Sequence, residues 1–267
     1  MSAVAVFLGG LICLGGDIFM LQHLIKISIA MIVVVLFVAA GNSLNDYEDR
    51  DIDKKAHPNR PIPSGKIKIE KVLRFSYLLF ILSIIMCIFN NLENITRPYS
   101  LILLLFNITV MITYEKNLKE RGIPGNLSIS WLIASLFLFG AVSIIKLPLL
   151  IILFTVMAFL ANFMRELVKD IEDIKGDRDI RHTAPIMHGV GPSSSLACIS
   201  LTAAIFLSSL PYILRIVNIF YLFIVLIADV IFIYSMFLLY RKRIKACQNY
   251  AKIGMLISLV AFAAGVI

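Results

Sequence analysis

Two sets of aspartates in this chain share one spacing. Asp46, Asp49 and Asp53 stand at i, i+3 and i+7 in the run Asn45-Asp46-Tyr47-Glu48-Asp49-Arg50-Asp51-Ile52-Asp53. Asp170, Asp173 and Asp177 repeat the pattern in Lys169-Asp170-Ile171-Glu172-Asp173-Ile174-Lys175-Gly176-Asp177, and a glutamate follows at i+2 in each set. On a helix, residues so spaced lie on one face, which makes each set a stripe of carboxylates. Like charges stacked this way destabilise a helix, so a chain that carries the arrangement twice points to a strongly cationic ligand. Mg²⁺ takes oxygen ligands and commonly bridges one or two carboxylates to substrate phosphates. A diphosphate approaching six aspartates unaided would be repelled. With Mg²⁺ between them the signs balance, and nearby Arg and Lys can take the remaining phosphate oxygens. The metal also stabilises the charge that builds on diphosphate as it leaves. The chemistry indicated is Mg²⁺-assisted departure of diphosphate.

Further polar candidates follow each stripe or fall between them. The run His57-Pro58-Asn59-Arg60-Pro61-Ile62-Pro63-Ser64-Gly65-Lys66 contains three prolines and a glycine, which stop a helix and fix a rigid turn. Arg60 sits inside that turn, where its guanidinium could be held over the first stripe; the alternative is a charge that only sets topology. The loop Tyr114-Glu115-Lys116-Asn117-Leu118-Lys119-Glu120-Arg121-Gly122-Ile123-Pro124-Gly125-Asn126 adds Lys119 and Asn126.

The elements that must position these residues are membrane helices. The chain has 267 residues, of which 60% are hydrophobic, and a mean hydropathy of +0.91. Its long apolar runs mark an all-α, polytopic membrane protein. Nine segments are predicted: 1–14, 24–44, 72–89, 98–114, 127–145, 147–168, 194–213, 216–240 and 248–267. Most have the roughly 17–25 residues needed to cross a hydrocarbon core of about 30 Å. The first is short, and reads as a truncated helix: either the start lies upstream or the helix begins part-way through the bilayer. Segments 5 and 6 meet near Lys146-Leu147-Pro148, which requires a tight turn.

Of the 25 Lys and Arg, all but Lys26, Arg97, Lys146 and Arg215 fall at the segment ends 2/3, 4/5, 6/7 and 8/9. The positive-inside rule puts those four connections in the cytoplasm, with the N-terminus inside and the C-terminus outside. Both stripes then share the cytoplasmic rim of a cell-membrane protein. The formal charge of +8 is accounted for by topology and attraction to anionic headgroups, so no nucleic-acid partner is inferred. No obligate protein partner is implied either. The four cysteines lie in or beside apolar runs without ligand spacing and read as packing residues. The stripes are 124 residues apart and each follows an even-numbered segment, which suggests one domain built of pseudo-repeats, about 1–122 and 123–240, with one helix added.

A diphosphate at the membrane rim with an apolar tail among the helices describes a polyprenyl diphosphate. Its allylic C–O bond can ionise to a delocalised carbocation that a dry cavity protects from water. A divalent-cation transporter is the competing reading from another class, but transporters place their charges at the midplane. Here the stripes sit at one rim and only Asp229 is deep. A non-catalytic lipid scaffold would have no reason to keep the like-charge strain.

These residues resemble the UbiA-type intramembrane prenyltransferase superfamily over nearly the whole chain. The resemblance is carried by the first stripe with Asn45, the turn Arg60-Pro61-Ile62-Pro63-Ser64-Gly65, the Tyr114…Lys119…Gly125-Asn126 loop and the second stripe. It implies nine helices in a ring around a central cavity and two Mg²⁺ ions between the stripes. By position, Asn45, Asp49 and Asp53 would serve one metal and Asp173 and Asp177 the other, with Asp46 and Asp170 in support. Arg60, Lys119 and Tyr114 would hold the diphosphate, and Asn42 would line the same pocket. The second stripe looks most like that of the archaeal ether-lipid members. These transfer geranylgeranyl from geranylgeranyl diphosphate to the sn-2 hydroxyl of 3-O-geranylgeranylglyceryl phosphate, also written geranylgeranylglyceryl phosphate. Arg165 or Lys169, about one turn ahead of that stripe, would then bind the acceptor's phosphate; an intrahelical pair of Arg165 with Glu166 or Asp170 is the alternative. An aromatic acceptor of the quinone-precursor type is the runner-up. Members of that family usually carry a basic stretch and an asparagine ahead of the first helix; either those residues lie outside this numbering or the cytoplasmic end of the pocket is built differently.

Asp229 lies in the apolar run 224–235. It reads as a hydrogen-bonded acid joining two helices, with a functional role as the alternative. His57, His182 and His188 read as loop residues.

Overall fold

The structure, a computed structural model, describes every residue except Met1, His57, residues 93–97, Ile145, residues 178–181 and Ile267; the side chains of Lys55, Ala56, Lys175 and Asp177 are likewise left undescribed. Among the described residues all regular structure is helical. The long elements are α1 (Ser2–Leu14), α2 (Leu21–Glu48), α4 (Ile69–Asn90), α5 (Tyr99–Thr113), α6 (Ile123–Ser143), α7 (Leu149–Asp177), α9 (Val190–Ser208), α11 (Ile219–Tyr240) and α12 (Ile244–Val266). Short helices α3 (Arg50–Ala56), α8 (Ala184–His188) and α10 (Leu210–Ile213) lie in the connections. Nine helices among the described residues, α1 with the 3-10 turn after it, are long and apolar enough to cross a membrane. In lipid every backbone polar group must be satisfied within the chain, and helices do this segment by segment. The chain is a multi-pass membrane protein.

Neighbours in sequence are neighbours in space. α2 packs on α4, α4 on α5, α5 on α6, α6 on α7, α7 on α9, α9 on α11 and α11 on α12. The circuit closes where α12 and α2 both meet α1. α1 also packs on α6 and α7, so the ring is pinched rather than open. Glycines explain how closely. A Cβ on Gly9 would stand 2.0 Å from the Phe137 carbonyl oxygen, and one on Gly140 2.0 Å from that of Val6. Two backbones touch there, which only glycine permits.

Polar side chains inside the bundle are paired between helices. Ser76 of α4 donates to the Ala40 carbonyl of α2 at 2.8 Å. Trp131 of α6 donates to Asn107 of α5 at 3.0 Å, and Asn107 in turn donates to Ser135 of α6 at 2.9 Å. Such bonds contribute on the order of 0.6 kcal/mol each in a membrane. The outward faces carry exposed Ile102, Phe206, Phe223 and Val230, as lipid contact requires.

The segment ends differ from expectation in instructive ways. α7 continues nine residues past 168, to Asp177, because charged residues end an apolar run without ending a helix. The 114–126 stretch is not a plain loop: Tyr114–Leu118 forms a π-helical turn and Asn126 already belongs to α6, which starts with Pro124 in its first turn. The first stripe is bent. α2 stops at Glu48 and α3 starts at Arg50, with Asp49 at φ −79°, ψ 1° between them. The hydrogen-bond ladder survives, since Asp49 N donates to Asn45 O and Asp53 N to Asp49 O, each at 2.8 Å.

Candidate active site

Four helix ends gather at one end of the bundle, and the α5–α6 connection is what joins them. Lys119 Nζ lies 2.6 Å from Asp49 Oδ2 and 3.3 Å from Glu115 Oε2. Asn45 Nδ2 donates to the same Glu115 oxygen at 2.9 Å. Seven residues after Lys119, Asn126 Nδ2 donates to Asp170 Oδ2 at 2.9 Å. One short segment thus holds an aspartate of each stripe. It also holds the chain beyond the second stripe, since His182 N donates to Glu120 O at 3.1 Å. Gly122 makes that approach possible: its φ is +62°, and a Cβ there would meet Ala184 N at 2.9 Å.

On the far side of the first stripe, Arg60 donates to Asp53 Oδ2 at 2.7 Å from the proline-rich turn. Asp46 lies in the field of Arg60, Asp53, Asp49 and Lys119. Asp46, Asp53 and Arg60 line a cavity of about 450 Å³ that continues along Ile67, Val72 and Phe75 of the turn and α4.

A second cavity, of about 510 Å³, lies inside the ring. Its wall is mostly apolar and is built from α1, α6, α7, α9, α11 and α12. Phe137, Phe154 and Phe262 line it in van der Waals contact, with ring centroids 4.5 Å and 3.9 Å apart along the series. Its size falls in the range of about 300–1,000 Å³ typical of small-molecule sites.

The expected residues therefore separate into groups. Asn45, Asp49 and Lys119 meet at Glu115; Asp46, Asp53 and Arg60 share the outer cavity; Asp170 and Asn126 are bonded. Asn42, Lys169 and Asp173 are exposed at the same end of the bundle, and Tyr114 opens the π-turn. Arg165 takes its alternative partner, Glu166, and lines the inner cavity as well. Asp177 ends α7, and its side chain lies outside the described residues, as does His57. Asp229 accepts from Ser208 of α9 at 2.7 Å, which joins α9 to α11 as expected, but it also borders the inner cavity.

Two contributors were not singled out from the sequence. Glu115 is the shared acceptor of Asn45 and Lys119; its i, i+4 spacing to Lys119 was the available signal. Gln248 donates to Glu172 at 2.7 Å across 76 residues, and no local pattern announces it.

The sequence pattern of the UbiA prenyltransferase family matches residues 3–260. The chain belongs to the UbiA prenyltransferase family. It is accordingly a membrane-embedded prenyltransferase. It is 40% identical over 245 residues to digeranylgeranylglyceryl phosphate synthase of Methanosphaera stadtmanae, covering 90% of this chain and 88% of that one. The synthase of Methanococcoides burtonii is 38% identical, over 89% and 84% of the two chains. A solved structure described as digeranylgeranylglyceryl phosphate synthase superimposes with a TM-score of 0.85 at 34% identity, covering 100% of this chain and 93% of that one. A UbiA homologue of Aeropyrum pernix, solved without ligand, shares the fold at a TM-score of 0.74 and 18% identity, over 99% and 94% of the chains.

Proposed function

We propose that this prenyltransferase moves a geranylgeranyl group from geranylgeranyl diphosphate to the sn-2 hydroxyl of 3-O-geranylgeranylglyceryl phosphate, forming the second ether bond of an archaeal membrane lipid. The observation that carries the reading is the α5–α6 connection, which ties Asp49 through Lys119 and Asp170 through Asn126. Two carboxylate stripes from distant parts of the chain are thereby served by one segment.

The donor set suits Mg²⁺: the stripes and Asn45 offer hard oxygen ligands, with no thiol or imidazole among them. Among the described residues no three acidic, His or Cys side chains are drawn together into a cage. An ion bound through one or two carboxylates and the substrate's own phosphates does not need one. Asn45, Asp49 and Asp53 on one side, and Asp173 and Asp177 on the other, would hold two such ions, with Asp46 and Asp170 beside them. When bound, they supply positive charge to the departing diphosphate.

The chain's own residues do the rest. Lys119 and Arg60 already rest on Asp49 and Asp53, poised to turn to phosphate oxygens, with Tyr114 and Asn42 on the same rim. Asn126 orients Asp170. The apolar interior of the bundle keeps water from the allylic cation until the acceptor hydroxyl captures it and gives up its proton to the departed diphosphate or a stripe carboxylate. Arg165 or Lys169 would meet the acceptor's phosphate. The basic connections at this end of the bundle support a cytoplasmic site.

The test offers purified protein geranylgeranyl diphosphate with Mg²⁺ and either the phosphorylated glyceryl ether or 4-hydroxybenzoate. Ether formation with the first alone is expected. Transfer to the aromatic acceptor alone would replace this reading with a quinone-type one, and Mg²⁺ flux without turnover would replace it with transport.

A further inference from the structure

The inner cavity has a charged mouth to which only Arg165 has so far been assigned. Gln248 bonds Glu172 near the polar ends of α12 and α7, while Phe262 packs on Phe154 deeper in the bundle, so the two helices run antiparallel with their register fixed at both points. Lys252 lies one turn beyond Gln248 on α12, and Arg165 two turns before Glu172 on α7. Spacings of four and seven keep each on the surface facing the other helix. Both residues line the inner cavity, with Asn162 one turn deeper on α7.

The two cavities differ in charge. The outer one pairs Asp46 and Asp53 with Arg60 and Lys71, a mixture suited to a metal-bridged diphosphate. The inner one has two cations near its polar end, and Asp229 is the one carboxylate among its described lining residues. Asp229 is set apart from the mouth: it bonds Ser208 on α9, and Phe232 three residues later packs at Gly254, already past Lys252 along α12. Glu166 occupies one side of the Arg165 guanidinium, but that group has five N–H donors. A mouth with two cations above an apolar chamber suits an anion bound without metal at the head of an apolar tail.

We infer that Lys252 and Arg165 form a metal-free seat for the phosphomonoester of the isoprenoid-tailed acceptor, with its chain in the inner cavity. The inference rests on the acceptor proposed above. Arg165 precedes Asp170 by five residues, roughly 7.5 Å along the helix, which leaves room for a glyceryl unit between the phosphate and the second stripe. Lys252 is exposed, so its substitution leaves the packed core untouched.

The test measures binding of 3-O-geranylgeranylglyceryl phosphate, and of the same ether without its phosphate, to purified protein in nanodiscs with neither donor nor Mg²⁺. The wild type should favour the phosphorylated form. Lys252→Gln should weaken that form about tenfold, the loss of one charge-assisted hydrogen bond, and leave the alcohol unchanged. Lys252→Arg should retain most of the affinity. In turnover, Lys252→Gln should raise KM for the phosphorylated acceptor and leave KM for the diphosphate donor alone. Equal loss for both ethers, or loss for neither, would overturn the inference and assign Lys252 to anchoring at the membrane surface. A wild type that binds the phosphorylated ether yet transfers nothing to it would sink the proposed reaction instead. No binding of that ether by the wild type would sink both.

Discussion

Replacing Lys119 with Met keeps the length of the side chain and removes its charge. In the structure that charge stands 2.6 Å from Asp49 and 3.3 Å from Glu115, and the three side chains are 12%, 22% and 6% exposed in that order. Without it, two sheltered carboxylates share a patch where Asn45 still donates to Glu115. Breaking a fully buried pair costs about 3–5 kcal/mol. Asp49 keeps some solvent, so screening reduces the expected loss to about 2 kcal/mol. Adding Glu115→Gln removes one of the two like charges and should return about 1 kcal/mol. The catalytic expectation is separate. A cation held against a departing diphosphate is worth about 10²–10³ in turnover, and that loss should persist in the Lys119→Met/Glu115→Gln double variant. Thermal unfolding in detergent reads the first effect, and Mg²⁺-dependent diphosphate release from geranylgeranyl diphosphate in the presence of acceptor reads the second. A double variant that regains both stability and full turnover would show that Lys119 only neutralises the patch.

Other outcomes follow from the same geometry. Asp49→Ala and Asp173→Ala should each abolish diphosphate release, and chelation of Mg²⁺ should abolish it reversibly in the wild type; release that persists under any of these treatments removes the metal-assisted step. Asn126→Leu should lower kcat about tenfold by freeing Asp170, with KM for the donor less affected, whereas an unchanged kcat would make the 2.9 Å bond merely structural. Arg165→Ala should raise KM for the phosphorylated acceptor, and an unchanged value would leave Arg165 as the partner of Glu166 alone. Gly140→Leu should prevent recovery of a monodisperse folded protein on size-exclusion chromatography, because its side chain has no space beside the Val6 carbonyl.

The membrane spans were legible because the hydrocarbon thickness sets a length that composition must meet. Segment 8, predicted at 216–240, forms α11 at Ile219–Tyr240. Helix ends in water were not legible in this way, since nothing there enforces a length. α7 therefore runs on to Asp177, and α12 starts at Ile244 rather than 248. Spacing alone made Asp46, Asp49 and Asp53 a single helical face, but the bend at Asp49 redistributes them: Asp49 turns to Lys119, while Asp46 and Asp53 share the outer cavity with Arg60. The importance of the Tyr114–Asn126 stretch could be read from its polar residues. Its π-turn and its grip on both stripes could not, because they depend on partners 44 and 70 residues away. The spacing of Glu115 to Lys119 was visible, but its bond to Asn45, 70 residues away, was not.

The glycine contact between α1 and α6 has a dynamic consequence. With backbone against backbone, neither helix can slip along or roll over the other without steric collision, so this crossing acts as a fixed keel. Rearrangements that admit bulky lipid tails must be taken up by joints lacking such a lock.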